Sequence, residues 1–558
     1  MKVPALLFAV LFLPCSTSAQ GSKSLSVIKR DECKISGMVV KLAGSEPLRK
    51  ARVQLRSFDD PTRTISAVTG PDGRFHLRGI EPGRYKVQVS RNGFVSQEYG
   101  QRKPNDPGAI LALQAGQEIK DLLFRLIPAA IITGRILDED GEPLAQVMVS
   151  AVREIYFEGK RTLATSSAVS TDDLGAYRLY GLPPGRYFVT AVYPQWSRYA
   201  GNGDDSDEAE PQQQGYARMF YPGTSEPAKA IPLAIKSGEE TSSIEILMRH
   251  VRVYHVRGHA FNLVTRKPGG NANVMLMAKN RRVEWDFGEH QAMVQKNDGA
   301  FDISDVLPGS YVLTAFWFDE GKPFLARTPV EVGNTDVDGI TLTLGAGVSI
   351  TGRIIWDGQP SLDGELSVMP KPADTGPNFW GSETRVDSGN SFTLKDVGDG
   401  TYFAEISGQS KDCYIKDVHY GPANALEEGF LVTRGAIANL EITISSHGAR
   451  LQGAVADVDG LPATGVHVAL VPEEPRRGLH RLFKSGTTDQ YGRFELRGIA
   501  PGDYKLFSWE DVESDAWEDP EFLKPFEEKG EKVSMQGGDQ KSVNLTAIRT
   551  KAADSPRP

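Results

Sequence analysis

Gly73-Arg74-Phe75-His76-Leu77-Arg78-Gly79-Ile80-Glu81-Pro82-Gly83-Arg84-Tyr85 alternates apolar and polar side chains up to a Pro-Gly turn, and Tyr85, Val87 and Val89 resume the alternation beyond it. A period of two, broken by a short Gly/Pro segment, predicts a hairpin of two half-buried strands. The pattern returns as Gly175-Ala176-Tyr177-Arg178-Leu179-Tyr180-Gly181-Leu182-Pro183-Pro184-Gly185-Arg186-Tyr187, and again from Gly299 to Tyr311 and from Gly492 to Tyr504. A worn copy runs from Asn390 to Tyr402, with Asn390 where the others have glycine. Asparagine is the residue next most at ease at positive φ, so this position carries a backbone requirement.

A second anchor precedes each tyrosine. Gly37, Gly134, Gly258, Gly352 and Gly453 each interrupt a β-branched or apolar run, such as Ile132-Thr133-Gly134-Arg135-Ile136, and lie 48 to 53 residues before their tyrosine. The five tyrosines follow one another at intervals of 102, 124, 91 and 102 residues. Each repeat closes on another alternating run, for example Leu122 to Leu126 or Ile340 to Leu344. About seven short strands per 100 residues, with no amphipathic helix, is the pattern of a β-sandwich. Each unit is long enough to bury its own core, so the fold class is all-β: a tandem array of five Ig-like or transthyretin-like sandwiches, beads rather than a solenoid. The boundaries read 33–127, 128–249 with a long insert at 195–227, 250–345, 346–445 and 446–548, followed by a tail at 549–558. Connections are short, so the expectation is a rod with limited bending.

Composition agrees with folded, turn-rich domains. Of 558 residues 40% are hydrophobic and 24% charged, with 57 glycines and 34 prolines. The formal charge of −9 offers no basic excess for nucleic acid or anionic lipid. Lys2, the apolar run Ala5 to Leu13 and the small residues Thr17-Ser18-Ala19 read as a signal peptide, residues 1–19. The run is too short to span a bilayer, and no later stretch is long and apolar enough. The expectation is an exported chain. Cys33 and Cys413 lie far apart and read as separate thiols rather than a staple.

The Gly-x-Phe-x-Leu-x-Gly-Ile-x-Pro-Gly-x-Tyr hairpin resembles the carboxypeptidase regulatory-like domain, a transthyretin-type sandwich similar to Cna B-type and starch-binding-like modules. Tyr504 to Phe522, Tyr99 to Arg102 and Phe220 to Thr224 also resemble tandem-repeat exported proteins of acidobacteria. A zinc carboxypeptidase resembling the enzymes that carry this domain needs His-x-x-Glu and a later His, and no histidine here has Glu three positions on. His255 and His259 share strand parity near His250, but no third ligand accompanies them. No Gly-x-Ser-x-Gly elbow, phosphate loop or dinucleotide fingerprint occurs. The Asp138-Glu139-Asp140-Gly141 turn lacks the distal Glu of a calcium loop. The Lys–Asn isopeptide bond that some Cna B-type modules form is incomplete in every repeat: Lys41 finds no last-strand Asn, and Asn544 no first-strand Lys. The reading is therefore no enzyme, no cofactor and no metal.

Aromatic residues in loops are the remaining chemical clue. Trp196, Tyr199, Tyr216, Phe220 and Tyr221 cluster in the insert of the second repeat, and Trp509 and Trp517 bracket Glu510, Asp511, Glu513 and Asp515 in the fifth. Open rings beside carboxylates and amides are what a sugar-binding loop presents. The functional expectation is a non-enzymatic envelope protein that binds polysaccharide or another envelope component through Trp196, Tyr199, Tyr216, Tyr221, Trp509 and Trp517. The alternative is a scaffold that contacts envelope proteins, with the same rings closing interfaces between repeats. A hydrolase assembled from several domains stands last.

Overall fold

Alternation in the hairpin assigns Phe75 and Leu77 to one strand face, and both lie in the core of repeat 1. The computed structural model describes residues 32–104, 106–193, 214–263, 265–279, 290–319, 322–373, 383–435 and 438–549. Repeat 1 runs β1 (Cys33–Lys41), β2 (Arg52–Ser57), β3 (Thr64–Val68), β4 (Arg74–Ile80), β5 (Gly83–Ser90), β6 (Gln97–Glu98), β7 (Leu111–Leu113) and β8 (Glu118–Leu126). One sheet has the order β4-β1-β8, with β1 antiparallel to β4 and parallel to β8. The other has the order β3-β2-β5-β6, and β7 also pairs with β5. Val53, Leu55, Phe75, Leu77, Val87 and Phe124 fill the space between them.

The two-sheet plan recurs along the chain, and each repeat has its own buried cluster. In repeat 5, Ala449–Ala456 lies between Arg493–Ile499 and the parallel Gln540–Ser542, and a second sheet has Lys484–Thr487 at its edge beside His467–Pro472. In repeat 3 the two sheets join into seven strands, because Lys322–Val332 also pairs with Val337–Ala346.

The first-strand glycine is a packing requirement. A Cβ on Gly37 would stand 2.1 Å from the Leu122 carbonyl oxygen and 2.8 Å from the Phe75 ring. The same approach recurs at Gly134 against Ile244 O (1.8 Å), Gly258 against Ile340 O (2.1 Å), Gly352 against Leu440 O (2.6 Å) and Gly453 against Val543 O (1.7 Å). The hairpin aromatic thus lies over a backbone stripped of side chain while the closing strand presses in from the other side. At the hairpin entry Gly73, Gly175, Gly299, Asn390 and Gly492 all adopt positive φ, 62° at Asn390. The repeated tyrosines tie the turn together: the hydroxyls of Tyr85, Tyr187, Tyr311 and Tyr504 each donate to the carbonyl four residues back, at 2.7–2.9 Å. Buried threonines carry a further bond pair that the sequence pattern does not announce. Thr69, Thr171 and Thr488 each donate to a carbonyl and accept a backbone N–H.

The array is not a rod. Repeat 5 folds back against repeats 1 and 2, so residues separated by 362 to 379 positions share hydrogen bonds. Repeat 5 also departs from an all-strand reading: Ala516–Glu518, Pro520–Leu523 and Lys524–Lys529 form short helical turns over its outer sheet face. Cys33 and Cys413 are both buried free thiols.

Replacing Gly453 by Ala forces its Cβ into the Val543 carbonyl and is expected to cost about 1–3 kcal/mol in chemical unfolding. Gly478, with nothing within 4 Å of a built Cβ, is the control. Its Ala variant is expected to change stability by less than about 0.5 kcal/mol. Equal effects at the two sites would contradict the packing account.

Candidate functional site

The contact between repeats 1 and 5 rests on backbone-directed hydrogen bonds. The Gln490 side chain accepts from the Ala112 N–H at 3.1 Å and donates to the Ala112 carbonyl at 2.8 Å. A primary amide has one acceptor and one donor end, so it pairs with the margin of β7 as a neighbouring strand would. Thr487 Oγ1 donates to Gly108 O at 3.0 Å, and Arg102 Nε to Thr464 O at 3.2 Å. Gly465 meets Gly100 so closely that a Cβ would stand 2.1 Å from the Gly100 carbonyl oxygen.

Charged groups surround this contact. Arg84 pairs with Asp59 at 2.5 Å within repeat 1 and reaches Glu495 of repeat 5 at 3.6 Å. Glu495 also meets Arg450 and Arg497, and Arg450 meets Asp412 of repeat 4 at 3.2 Å. Lys411 of repeat 4 lies 4.6 Å over the Phe58 ring of repeat 1. At a second junction Lys103 of repeat 1 pairs with Asp511 of repeat 5 at 2.5 Å. Asp106 sits beside that pair, close to Asp511, Glu513 and Arg153 of repeat 2. Burial pushes its carboxyl up to about 7; Lys103 and Arg153 work against the rise, and Asp511 and Glu513 add to it. Burial also raises Glu513. Repeat 2 supplies a third contact through the hairpin of Met148–Phe157 and Lys160–Ser170. Tyr156 packs edge-on against Phe522, Gly159 abuts the Glu518 backbone, and Glu158 pairs with Lys371 of repeat 4 at 3.0 Å.

Between repeats 1 and 5 the surfaces part to leave a cleft of about 790 Å³. Phe58, Arg84, Lys86, Ile110 and Ala112 line it from repeat 1; Ser485, Thr487, Arg493, Glu495, Asp515 and Asn544 are among its residues from repeat 5. Asp515 has left-handed backbone angles (φ 63°), and its carboxylate has no hydrogen-bond or ion-pair partner among the described residues. Burial raises it above the ordinary carboxylate range. A strained, unpartnered carboxylate on a cleft wall is what a binding residue looks like before its ligand arrives. His467, also on the wall, is pushed down to about 4 by burial and is neutral at pH 7.

The aromatic residues are arranged differently from the sequence expectation. Trp509 is fully buried and Trp517 is 3% exposed. Trp509 stacks on Phe507 at 5.1 Å and on Trp517 at 6.2 Å, forming with Phe522 and Phe526 a second core on the outer face of repeat 5. Neither ring offers a face to a sugar, because the helical turns from Ala516 to Lys529 fold over them. Phe220 is buried as well, and Tyr221 packs on the repeat 2 core. Tyr216 stacks on His250 at 4.2 Å. Trp196 and Tyr199 lie outside the described residues, as does the acidic run Asp204 to Glu210. The sequence reading places Asp515 among the acidic residues between the two tryptophans but not on a cleft wall, and it does not reach Gln490 or Asp106, which act only across a fold-back that no local pattern encodes.

His250 pairs with Glu139 at 2.9 Å and His255 with Asp302 at 2.6 Å. Among the described residues no group of three or more His, Cys, Asp or Glu side chains is placed to hold a metal, and no helix is long and apolar enough to cross a membrane.

Residues 34–119 and 131–203, within the first two repeats, match the family model of the carboxypeptidase regulatory-like domain. No curated protein matches the chain. Among solved structures it is similar to the Bacillus anthracis TIE protein, at 13% identity over 57% of this chain and 51% of that one, with a TM-score of 0.16. It thus spans about half the length of that protein. It is also similar to GBS52, the minor pilin of Streptococcus agalactiae, at 10% identity over 39% of this chain and 96% of that one, TM-score 0.22. For BcpA, the major pilin subunit of Bacillus cereus, the identity is 12% over 56% and 99%, TM-score 0.14. Nothing about function follows from likenesses this distant.

The Asp106 junction makes closure pH-dependent. Freed from repeats 2 and 5, Asp106 returns toward its ordinary value of 3.8, against about 7 in the closed array. Its contribution to closure is therefore fully present below about pH 4 and is lost as pH rises through about 7. Glu513 acts in the same direction. Small-angle X-ray scattering is expected to show a more expanded chain at pH 9 than at pH 5, with Asp106→Asn compact at both. Identical native profiles at the two pH values, or an unaltered response in Asp106→Asn, would contradict this assignment.

Proposed function

We propose that the chain is an exported, non-catalytic scaffold, in which five sandwich repeats are locked into a closed array that presents a fixed surface to other proteins of the envelope. The observation that carries this reading is the lock itself. Gln490, Thr487, Arg102 and Lys103 hold repeat 5 on repeat 1, and the rings of Trp509 and Trp517 are buried in the same region rather than held open. A chain built to display flexible binding modules has no need of hydrogen bonds between its first and last domains.

A second reading is favoured by one observation: Asp515, unpartnered on the cleft wall among Ser485, Thr487 and Asn544, suits the hydroxyls of a carbohydrate. A glycan array separates the two. The scaffold reading expects no specific binding by residues 20 to 558. Specific binding that disappears in Asp515→Ala, with the scattering profile unchanged, would replace it with the carbohydrate reading. Export is checked separately by expressing the full chain in a Gram-negative host and sequencing the N-terminus of the protein recovered outside the cytoplasm. The expected first residue is Gln20; recovery only from the cytoplasm, with Met1 retained, would refute export.

A further inference from the structure

Among the described residues the strand Lys484–Thr487 has a partner on one side only, His467–Pro472. Its neighbour Thr488 bonds inward: its N–H donates to Val466 O at 3.1 Å and its carbonyl accepts from Gly465 N–H. In an antiparallel ladder the backbone groups of successive residues point alternately toward and away from the partner strand. Gly486 therefore faces His467–Pro472, while the N–H and C=O groups of Ser485 and Thr487 face away from it. Both residues line the cleft between repeats 1 and 5. Repeat 1 does not satisfy these groups. Across the gap Thr487 uses its side chain, bonded to Gly108 O, and no backbone–backbone hydrogen bond among the described residues joins this strand to the segment 107–112. The opposite wall includes the margin of β7, where Ala112 is already capped by Gln490.

An exposed strand edge is normally blunted by charge, proline or a covering element. Here it is sheltered in a cleft of about 790 Å³ instead. We propose that this cleft takes an extended segment of a partner protein, which adds as a strand to Ser485–Thr487. The inference rests on the scaffold reading, because its occupant is a polypeptide. Main-chain bonds to Ser485 and Thr487 supply the pairing, and alternate side chains of the segment meet the walls. Those walls carry three cations, Arg84, Lys86 and Arg493, and three carboxylates, Asp489, Glu495 and Asp515, so the fitting segment has both signs of charge and a net charge near zero. Asp515, whose carboxylate has no partner among the described residues, receives an amine or hydroxyl of that segment.

The probe is a heptapeptide selected from a random phage-displayed library against residues 20–558, then synthesised and titrated by fluorescence anisotropy. Strand addition gives a parity signature. N-methylation of alternate peptide residues on the edge-facing register should weaken binding roughly tenfold or more, and methylation of the intervening residues should leave it unchanged. Ser485→Pro removes an N–H that lies outside the ladder, so this variant is expected to fold and to lose the peptide. Unchanged scattering and unchanged unfolding show that it has folded. Failure to select any peptide that binds, equal effects of both methylation patterns, or full binding by the folded Ser485→Pro variant would each overturn the proposal. Scattering of the unbound native chain tells this failure from failure of the scaffold reading: a closed array without peptide binding refutes strand addition alone, whereas an open array refutes both.

Discussion

The amide of Gln490, bonded at both ends to the backbone of Ala112, is the interaction on which the arrangement of the chain depends. A sandwich repeat is stable through its own core, so five of them in tandem need no mutual contact to fold. What turns a string of such units into one object is a bond between its ends that is specific in direction. A side-chain amide meets this need because its acceptor and donor ends match a strand margin, leaving no buried polar group unpaired at that position. The mutual approach of Gly100 and Gly465 allows the backbones to come close enough for the amide to reach.

Once the ends meet, other features acquire their roles. The carboxylates of the 510s lie at the junction of repeats 1, 2 and 5, and burial there is why Asp106 and Glu513 hold protons more tightly than exposed carboxylates do. The hairpin of repeat 2 extends far enough for Tyr156 to touch repeat 5 and Glu158 to touch repeat 4. The cleft is a consequence of closure as well: its walls come from opposite ends of the sequence, and it does not exist in any single repeat. Individual ion pairs in the surrounding belt are half-exposed and each contributes little, so direction rather than strength is what they add.

The repeat architecture was legible in the sequence because it is written in local terms. Phe75 and Leu77 share a parity, Gly37 stands opposite Phe75, and Asn390 marks a positive φ without a glycine. Each of these constraints is satisfied within about 90 residues of its own chain. The candidate site was not legible for the opposite reason. Gln490 is an ordinary polar residue in a turn until Ala112, 378 residues earlier, arrives beside it. Trp509 and Trp517 misled because aromatic rings among acidic residues describe a sugar site and a covered outer core equally well, and only the helical turns after Asp515 decide between them. The acidic residues between Asp515 and Lys529 and the prolines at positions 520 and 525 read as a loop, although the apolar Ala516, Trp517, Phe522, Leu523 and Phe526 among them are what the turns bury.

The most direct measurement is site-resolved hydrogen–deuterium exchange at the Ala112 amide. This N–H points off the free margin of β7 and bonds only to Gln490, so nothing within repeat 1 slows its exchange. If the chain is closed, the Ala112 amide exchanges slowly in the native protein and at the rate of a free strand edge in Gln490→Ala, while amides in the repeat 1 core are unchanged. Equally fast exchange at Ala112 in both proteins would show that repeats 1 and 5 do not meet in solution, and the closed array would have to be abandoned.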